Sequence, residues 1–189
     1  TPYVYEAEQV FTLDDDALNI DMVVTNRSGR ALPFGTGHHP YFPRTDKTIL
    51  KASLSGVWNS KNMVPTELVP LPEKWNFTKG VTLAPQAIGP AQHGGDGTAY
   101  IDHCFTGWDR RAEIIWPESA TKLVMAADPV YGNFVIYVPS GQDFFCAEPV
   151  TNVTDGFNLM DNGVKDTGTV VLQDGETLAG RMRFAVQPA

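Results

Sequence analysis

Two histidines stand side by side in a stretch rich in glycine and proline, Pro33-Phe34-Gly35-Thr36-Gly37-His38-His39-Pro40-Tyr41-Phe42-Pro43. Glycine allows the backbone to approach a ligand closely, and histidine is the side chain that exchanges protons near neutral pH. The segment therefore suits an acid–base site. A structural loop with a hydrogen-bonded histidine explains the same residues.

A glutamate follows a largely apolar run in Asp143-Phe144-Phe145-Cys146-Ala147-Glu148-Pro149-Val150-Thr151-Asn152. Partial desolvation would raise the pKa of the Glu148 carboxyl and make it a better base at neutral pH. The alternative is a glutamate in solvent at the end of a strand.

An aspartate lies near the start of a third segment, Tyr100-Ile101-Asp102-His103-Cys104-Phe105-Thr106-Gly107-Trp108. A carboxylate there can accept hydrogen bonds from the hydroxyl groups of a polyol. It can equally begin a strand at the protein surface.

Metal-ligand spacing is absent from the four histidines and two cysteines of the sequence. Adjacent His38 and His39 on an extended segment point to opposite faces, so they do not readily share one ion. Cys104 and Cys146 form no C-x-x-C pair, and we expect two buried free thiols. The sequence therefore predicts no metal site.

Alternating apolar residues predict that β-strands carry these groups. Leu18, Ile20, Met22 and Val24 share one face, and the same period of two recurs in 50–54, 134–138 and 178–186. Turn signals separate the runs at 14–16, 26–29, 94–97 and 174–175. An antiparallel sandwich or barrel accounts for this pattern. The proline-rich stretch from about 59 to 97 predicts long surface loops, either walling a site or simply connecting strands.

Length and charge exclude several classes of protein. The 189 residues, 42% of them hydrophobic, fit one globular domain. With 22 acidic and 14 basic residues, the net charge of −8 argues against binding to nucleic acid or a membrane surface. No apolar run reaches the roughly 18 residues of a membrane span. Two cysteines make no disulfide framework, so a cytoplasmic protein is expected.

Taken together and in this order, the three segments resemble the aldose 1-epimerase (galactose mutarotase) family. The residues that carry the resemblance are Gly-x-Gly-x-His-Pro-Tyr-Phe, then Ile-Asp-His-Cys-Phe, then Glu-Pro-Val-Thr followed by Asp155 and Asn158. The resemblance implies a large antiparallel β-sandwich, the mutarotase-like supersandwich, with a sugar cleft on one sheet face. It also implies a cytoplasmic enzyme that needs no cofactor.

The same resemblance assigns roles to individual residues. It makes His39 the general acid, Glu148 the general base and Asp102 an acceptor for sugar hydroxyls. Tyr41 and Trp108, with Phe42, become candidate apolar platforms for the sugar, although packing in the core suits at least two of these three rings.

The implied reaction interconverts the α and β anomers of a free hexose such as glucose or galactose. A hexose-6-phosphate 1-epimerase is an alternative, but a phosphate calls for convergent Arg or Lys, and only Arg44 closely follows the first segment. A carbohydrate-binding domain without catalysis on the same scaffold is the other alternative.

Family members are usually longer than this chain. We expect residues 1–189 to form a single mutarotase-like domain that corresponds to the family's C-terminal portion. In the family the preceding part adds strands, an arginine and a further histidine to the cleft. Without them a sheet edge is expected to be exposed.

Overall fold

The computed structural model describes residues 1–61, 64–84, 88 and 99–189. Fifteen strands lie in this part of the chain: β1 (Tyr5–Leu13), β2 (Ala17–Asn26), β3 (Leu32–Phe34), β4 (Tyr41–Pro43), β5 (Ile49–Ala52), β6 (Gly56–Lys61), β7 (Val64–Pro70), β8 (Val81–Thr82), β9 (Ala99–Thr106), β10 (Arg111–Trp116), β11 (Thr121–Ala127), β12 (Asn133–Pro139), β13 (Phe144–Val150), β14 (Val170–Leu172) and β15 (Thr177–Pro188). The helical segments there are α1 (Gly156–Asp161) and three 3₁₀ turns, Glu73–Trp75, Phe77–Lys79 and Pro117–Ser119. None of the helical segments in these ranges has the length and hydropathy that a membrane crossing requires.

The strands pair antiparallel in two large sheets. The first has the order β1-β2-β15-β11-β10-β5-β8, the second has the order β4-β13-β12-β9-β6-β7, and β3 pairs with β14. The predicted antiparallel β-sandwich is confirmed. The runs with a period of two in the sequence become β2, β5, β12 and β15.

The core lies between the two large sheets because alternate residues of each strand are apolar and point inward. Its members include Leu50, Ile114, Met125 and Met182 from the first sheet, and Phe105, Phe134, Ile136 and Phe145 from the second. Burying one face of the second sheet in this way leaves its other face to carry polar side chains. That outer face holds the candidate site.

The prediction of long loops between 59 and 97 is wrong for much of the described part. This stretch completes β6 and contains β7, β8 and two 3₁₀ turns that bury Trp75 and Phe77 in the core. Prolines fit into β7 because it is an edge strand, where one side needs no backbone hydrogen bonds. The turn predicted at 94–97 lies outside the described residues.

Strand β1 forms one edge of the first sheet and is exposed along its whole length. Its register pairs Phe11 with Ile20 and Leu13 with Leu18, so its apolar face continues the inward face of β2. An apolar groove of about 700 Å³ lies beside this face, with Phe42 and Phe184 among the residues that line it.

Candidate active site

The segment from Thr36 to Phe42 runs antiparallel along β13. Thr36 donates its backbone N–H to the Thr151 hydroxyl at 2.9 Å and accepts from the backbone N–H of Thr151 at 2.8 Å. The backbone N–H of His38 donates to the Pro149 carbonyl at 3.1 Å, and further along Tyr41 pairs with Cys146. His39 lies between these two paired stretches and is thereby held beside the middle of β13.

Alternation along this extended segment separates the two histidines. His39 lies two residues before Tyr41, and their rings stack on the outer face, with centroids 5.1 Å apart. His38 has the parity of Phe42, which is buried in the core, and the Nε2 atom of His38 is itself buried without a hydrogen-bond partner among the described residues. Burial lowers the pKa of His38. The two neighbours therefore occupy different environments, as predicted for an extended chain.

Glu148 is a nearly buried carboxylate in contact with an exposed imidazole. It is 7% exposed, whereas the side chain of His39 is 55% exposed. The distance from His39 Nε2 to Glu148 Oε1 is 3.3 Å. Burial, and to a lesser extent the charge of Asp102, raises the pKa of Glu148 to about 7. A carboxyl with such a pKa can accept and release a proton at neutral pH.

Asp102 reaches the same face of the sheet through the register of three strands. It pairs with Tyr137 of β12, which in turn pairs with Cys146 of β13. Side chains directly opposite one another on antiparallel strands share a face. One row across the sheet therefore contains Asp102, Tyr137, Cys146 and Tyr41, and the adjacent row contains Glu148.

Two residues of this face, Cys146 and Tyr137, were not among the predicted site residues. Cys146 is two residues before Glu148 on one strand, so alternation alone was a sufficient signal for it. Tyr137 needed the pairing of β9 with β12 and of β12 with β13, and no local sequence pattern specifies that register.

An open cleft of about 400 Å³ lies over His39 and Glu148. Its walls come from the 35–39 segment, from β13 and from the 152–155 loop, and they include His39 and Glu148. The volume is within the usual range for small-molecule sites. Among the described residues that line the cleft, none is a lysine or an arginine.

The prediction that Trp108 is a substrate-binding residue is wrong. It is completely buried, its ring stacks on Phe134 with centroids 4.5 Å apart, and its indole N–H donates to the Arg111 carbonyl at 2.9 Å. A ring enclosed on the core side of the second sheet does not contact a ligand on the outer face. Of the predicted apolar platforms, Phe42 is also in the core, whereas Tyr41 is 63% exposed beside His39.

One group of side chains has the donor atoms of a metal site. A ring nitrogen of His39, the sulfur of Cys146 and a carboxylate oxygen of Glu148 all lie within 4.8 Å of one another. The sequence did not indicate this group because His39 and Cys146 are more than 100 residues apart.

Comparisons with family models and with known proteins give matches over nearly the whole chain. A family model described as aldose 1-epimerase matches residues 1–185. The uncharacterized protein YphB of Escherichia coli K12 is 28% identical over 192 residues, which cover 98% of this chain and 61% of YphB. This chain therefore spans about three fifths of the length of that relative.

Solved structures show the same fold. A crystal structure of a candidate aldose 1-epimerase from Escherichia coli K12 superposes with a TM-score of 0.81 at 29% identity, over 99% of this chain and 62% of the other. A galactose mutarotase-like protein from Clostridium acetobutylicum gives a TM-score of 0.78 at 20% identity, over 98% and 56%. A galactose 1-epimerase from Lactobacillus acidophilus gives 0.75 at 15% identity, over 98% and 57%. The last two likenesses concern the fold alone.

Proposed function

The chain belongs to the aldose 1-epimerase family, and from this premise we propose that its outer-face site interconverts the α and β anomers of a free aldose such as glucose or galactose. His39 acts as the general acid and Glu148 as the general base. Asp102 and Tyr41 bind the sugar. The isomerisation requires no cofactor, because it consists of proton transfers to and from oxygen.

The observation that carries this proposal is the contact between the two proton-transfer groups. Nε2 of His39 and Oε1 of Glu148 are 3.3 Å apart at the edge of an open cleft. In a cyclic aldose the anomeric hydroxyl and the ring oxygen are bonded to the same carbon. An acid and a base that serve these two oxygens must therefore be close neighbours, as these residues are.

The reaction consists of coupled proton transfers by these two groups. Glu148 removes the proton of the anomeric hydroxyl while protonated His39 donates its proton to the ring oxygen, and the bond between C1 and the ring oxygen breaks. The open-chain aldehyde rotates about the C1–C2 bond. The same two groups then return the protons in reverse, and the ring closes as the other anomer. Each general acid or base contributes roughly 10²–10⁴-fold to the rate.

The pKa of Glu148 suits this role. A carboxyl at its ordinary value of 4.5 is a weak base toward a hydroxyl, whereas the value of about 7 gives a stronger base that is still substantially ionised at neutral pH. Burial is the main physical cause of the shift. Bringing a sugar into the cleft extends that desolvation.

Two side chains suit sugar binding rather than proton transfer. Asp102 lies in the row next to Glu148, where its carboxylate can accept hydrogen bonds from ring hydroxyls. Tyr41 presents an exposed ring stacked on His39, which offers an apolar surface to the C–H groups of a sugar.

A phosphorylated sugar fits this site less well. Arg44 already uses its Nε and Nη1 atoms to donate to the carbonyls of Leu83, Pro139 and Gln142 at 2.9–3.1 Å. Arg44 is not among the residues that line the cleft, and the described lining has no lysine or arginine to hold a phosphate. We therefore favour a neutral aldose.

We also place this activity in a reducing compartment, the cytoplasm. Cys104 and Cys146 are both free and buried. Free thiols are typical of proteins kept in reducing conditions.

Polarimetry on fresh α-D-glucose and α-D-galactose tests the proposal. The protein should bring the optical rotation to its equilibrium value faster than buffer does, and in proportion to protein concentration. Sugar binding by calorimetry without any acceleration would instead indicate a carbohydrate-binding domain.

Glu148→Gln tests the assigned base in the same assay. The amide preserves shape and hydrogen bonding but does not accept the proton, so kcat should fall at least about 10²-fold with little change in KM. The matched control is Glu8→Gln, which makes the same change on exposed β1. Activity of Glu148→Gln within threefold of wild type would refute the assignment.

A further inference from the structure

Three side chains of different chemistry converge on the outer face beside β13. Cys146 and Glu148 point from the same side of β13 because they are two residues apart, and His39 approaches from the neighbouring segment. Their donor atoms lie within 4.8 Å of one another. We propose that His39, Cys146 and Glu148 form a binding site for a divalent transition-metal ion of the zinc type.

The spacing is close to what such an ion requires. Zinc binds nitrogen at about 2.0–2.1 Å and sulfur at about 2.3 Å, so tetrahedral ligand atoms are roughly 3.5 Å apart. The nitrogen of His39 and the oxygen of Glu148 already meet this separation at 3.3 Å. The sulfur lies within 4.8 Å of both atoms, so a contraction of no more than about 1.3 Å completes the arrangement. The side chain of His39 is 55% exposed and has room to make it.

The ligand types determine which cations fit. Imidazole, thiolate and carboxylate are the usual protein ligands of zinc. Magnesium and calcium prefer sites made of oxygen atoms. Three protein ligands leave the fourth tetrahedral position for water from the adjoining open cleft.

The surroundings also favour a cation. Asp102 adds a second carboxylate in the row next to Glu148, and the described lining of the cleft has no lysine or arginine. Zinc binds cysteine as the thiolate, so binding replaces the thiol proton of Cys146 by the metal ion: the S–H bond breaks, the metal–sulfur bond forms, and the proton passes to the buffer.

Metal and sugar would compete, a consequence that rests on the proposed function. The ion uses His39 and Glu148, which are the groups that must exchange protons with the sugar. Zinc should then inhibit anomerisation, and a chelator should restore it.

Cobalt absorption spectroscopy tests the site without any sugar or turnover. Air-free titration of the reduced protein with Co²⁺ should give the intense visible bands of tetrahedral cobalt and a near-ultraviolet band from charge transfer between thiolate and metal. Zn²⁺ should then displace the cobalt and abolish both signals, because it binds similar ligands more tightly.

Three variants assign the ligands. Cys146→Ser should remove the sulfur band, whereas Cys104→Ser, which changes the other buried thiol, should keep it. His39→Asn changes an exposed side chain and should weaken Co²⁺ binding at least about tenfold without disturbing the core.

The proposal is overturned by the absence of a tetrahedral cobalt spectrum with wild-type protein. It is equally overturned by a sulfur band that survives Cys146→Ser, by one that is lost in Cys104→Ser, or by binding unaffected in His39→Asn. None of these results depends on anomerisation, so the failure of the metal site and the failure of the enzymatic proposal are distinguishable.

Discussion

Glu148 is buried and lies near a second negative charge, and both of these features raise the pKa of its carboxyl. Its neighbours are His39 from the adjoining segment, Cys146 on its own strand, and Asp102 across β12. The raised pKa has a cost for folding, because the ionised carboxylate is less stable in the folded protein than in the unfolded chain.

This cost predicts the pH dependence of stability. The folded pKa of Glu148 is about 7 against an ordinary 4.5, so between these values the folded state holds a proton that the unfolded state has released. The stabilising contribution is complete below pH about 4.5 and is lost as the pH rises through about 7. As the pH rises from about 4.5 to about 7, the unfolding free energy of Glu148→Gln should therefore increase relative to that of wild type by on the order of 2–3 kcal/mol.

Urea denaturation of both proteins from pH 4.5 to 8 provides the measurement. The difference in unfolding free energy should grow with pH and level off above about 7. A difference that stays constant across this range would mean that Glu148 titrates like a carboxyl in water.

The two histidines give a second prediction at the scale of residues. His39→Asn should abolish measurable anomerisation, because it removes the proposed acid, which is in contact with Glu148. His38→Asn should leave most of it, because that side chain points away from the pair. Polarimetry of both variants, after circular dichroism has verified folding, makes the comparison. Equal losses in the two variants would indicate that both histidines serve to fold the loop. A larger loss in His38→Asn than in His39→Asn would mean that His38, and not His39, is the acid.

At the scale of elements, the position of His39 depends on how closely its segment approaches β13. A Cβ atom added at Gly37 would lie 2.6 Å from Cγ1 of Val150 and 2.8 Å from the Pro149 carbonyl oxygen. Only glycine permits this approach. The glycine therefore keeps His39 beside Glu148, the arrangement on which the proposed acid–base reaction depends.

Gly37→Ala should push the segment outward and carry His39 away from Glu148. We expect kcat to fall by about 10-fold or more, since small displacements of catalytic groups are costly. Gly132→Ala is the control, because an added Cβ there meets no atom within 4 Å. Retention of full activity by Gly37→Ala would show that His39 does not depend on this packing.

The elements also show what sequence can and cannot predict. A period of two identifies β2 and β12, and the alternation that separates His38 from His39 is equally local. Cross-strand rows such as Asp102 with Tyr137 depend on pairing between distant segments, which local patterns do not encode. The prediction that Trp108 binds substrate fails for the same reason, because an aromatic residue close to a polar segment gives no sign of which sheet face it occupies.

At the scale of the whole molecule, β1 leaves an exposed apolar face at one edge of the first sheet. Phe11 is 59% exposed and Leu13 is 81% exposed on a strand whose outer edge is unpaired in the described structure. Exposed apolar edge strands promote association.

Residues 1–189 should therefore self-associate as concentration rises, and Phe11→Glu should shift the population toward monomer. Val171→Glu is the matched control: it adds the same charge at a residue that is 47% exposed on β14. Sedimentation velocity over a range of concentrations measures the effect. A wild-type chain that stays monomeric throughout would contradict this use of the β1 edge.

The most direct test of acid–base anomerisation at His39 and Glu148 is proton NMR of an aldose dissolved in D₂O with catalytic amounts of the protein. Proton transfer at the two oxygens leaves every C–H bond intact. The α and β anomeric signals should exchange faster than in buffer, at an unchanged equilibrium ratio, with full proton intensity at C1 and C2. Exchange no faster than in buffer, or deuterium entering at C2, would contradict ring opening by this pair.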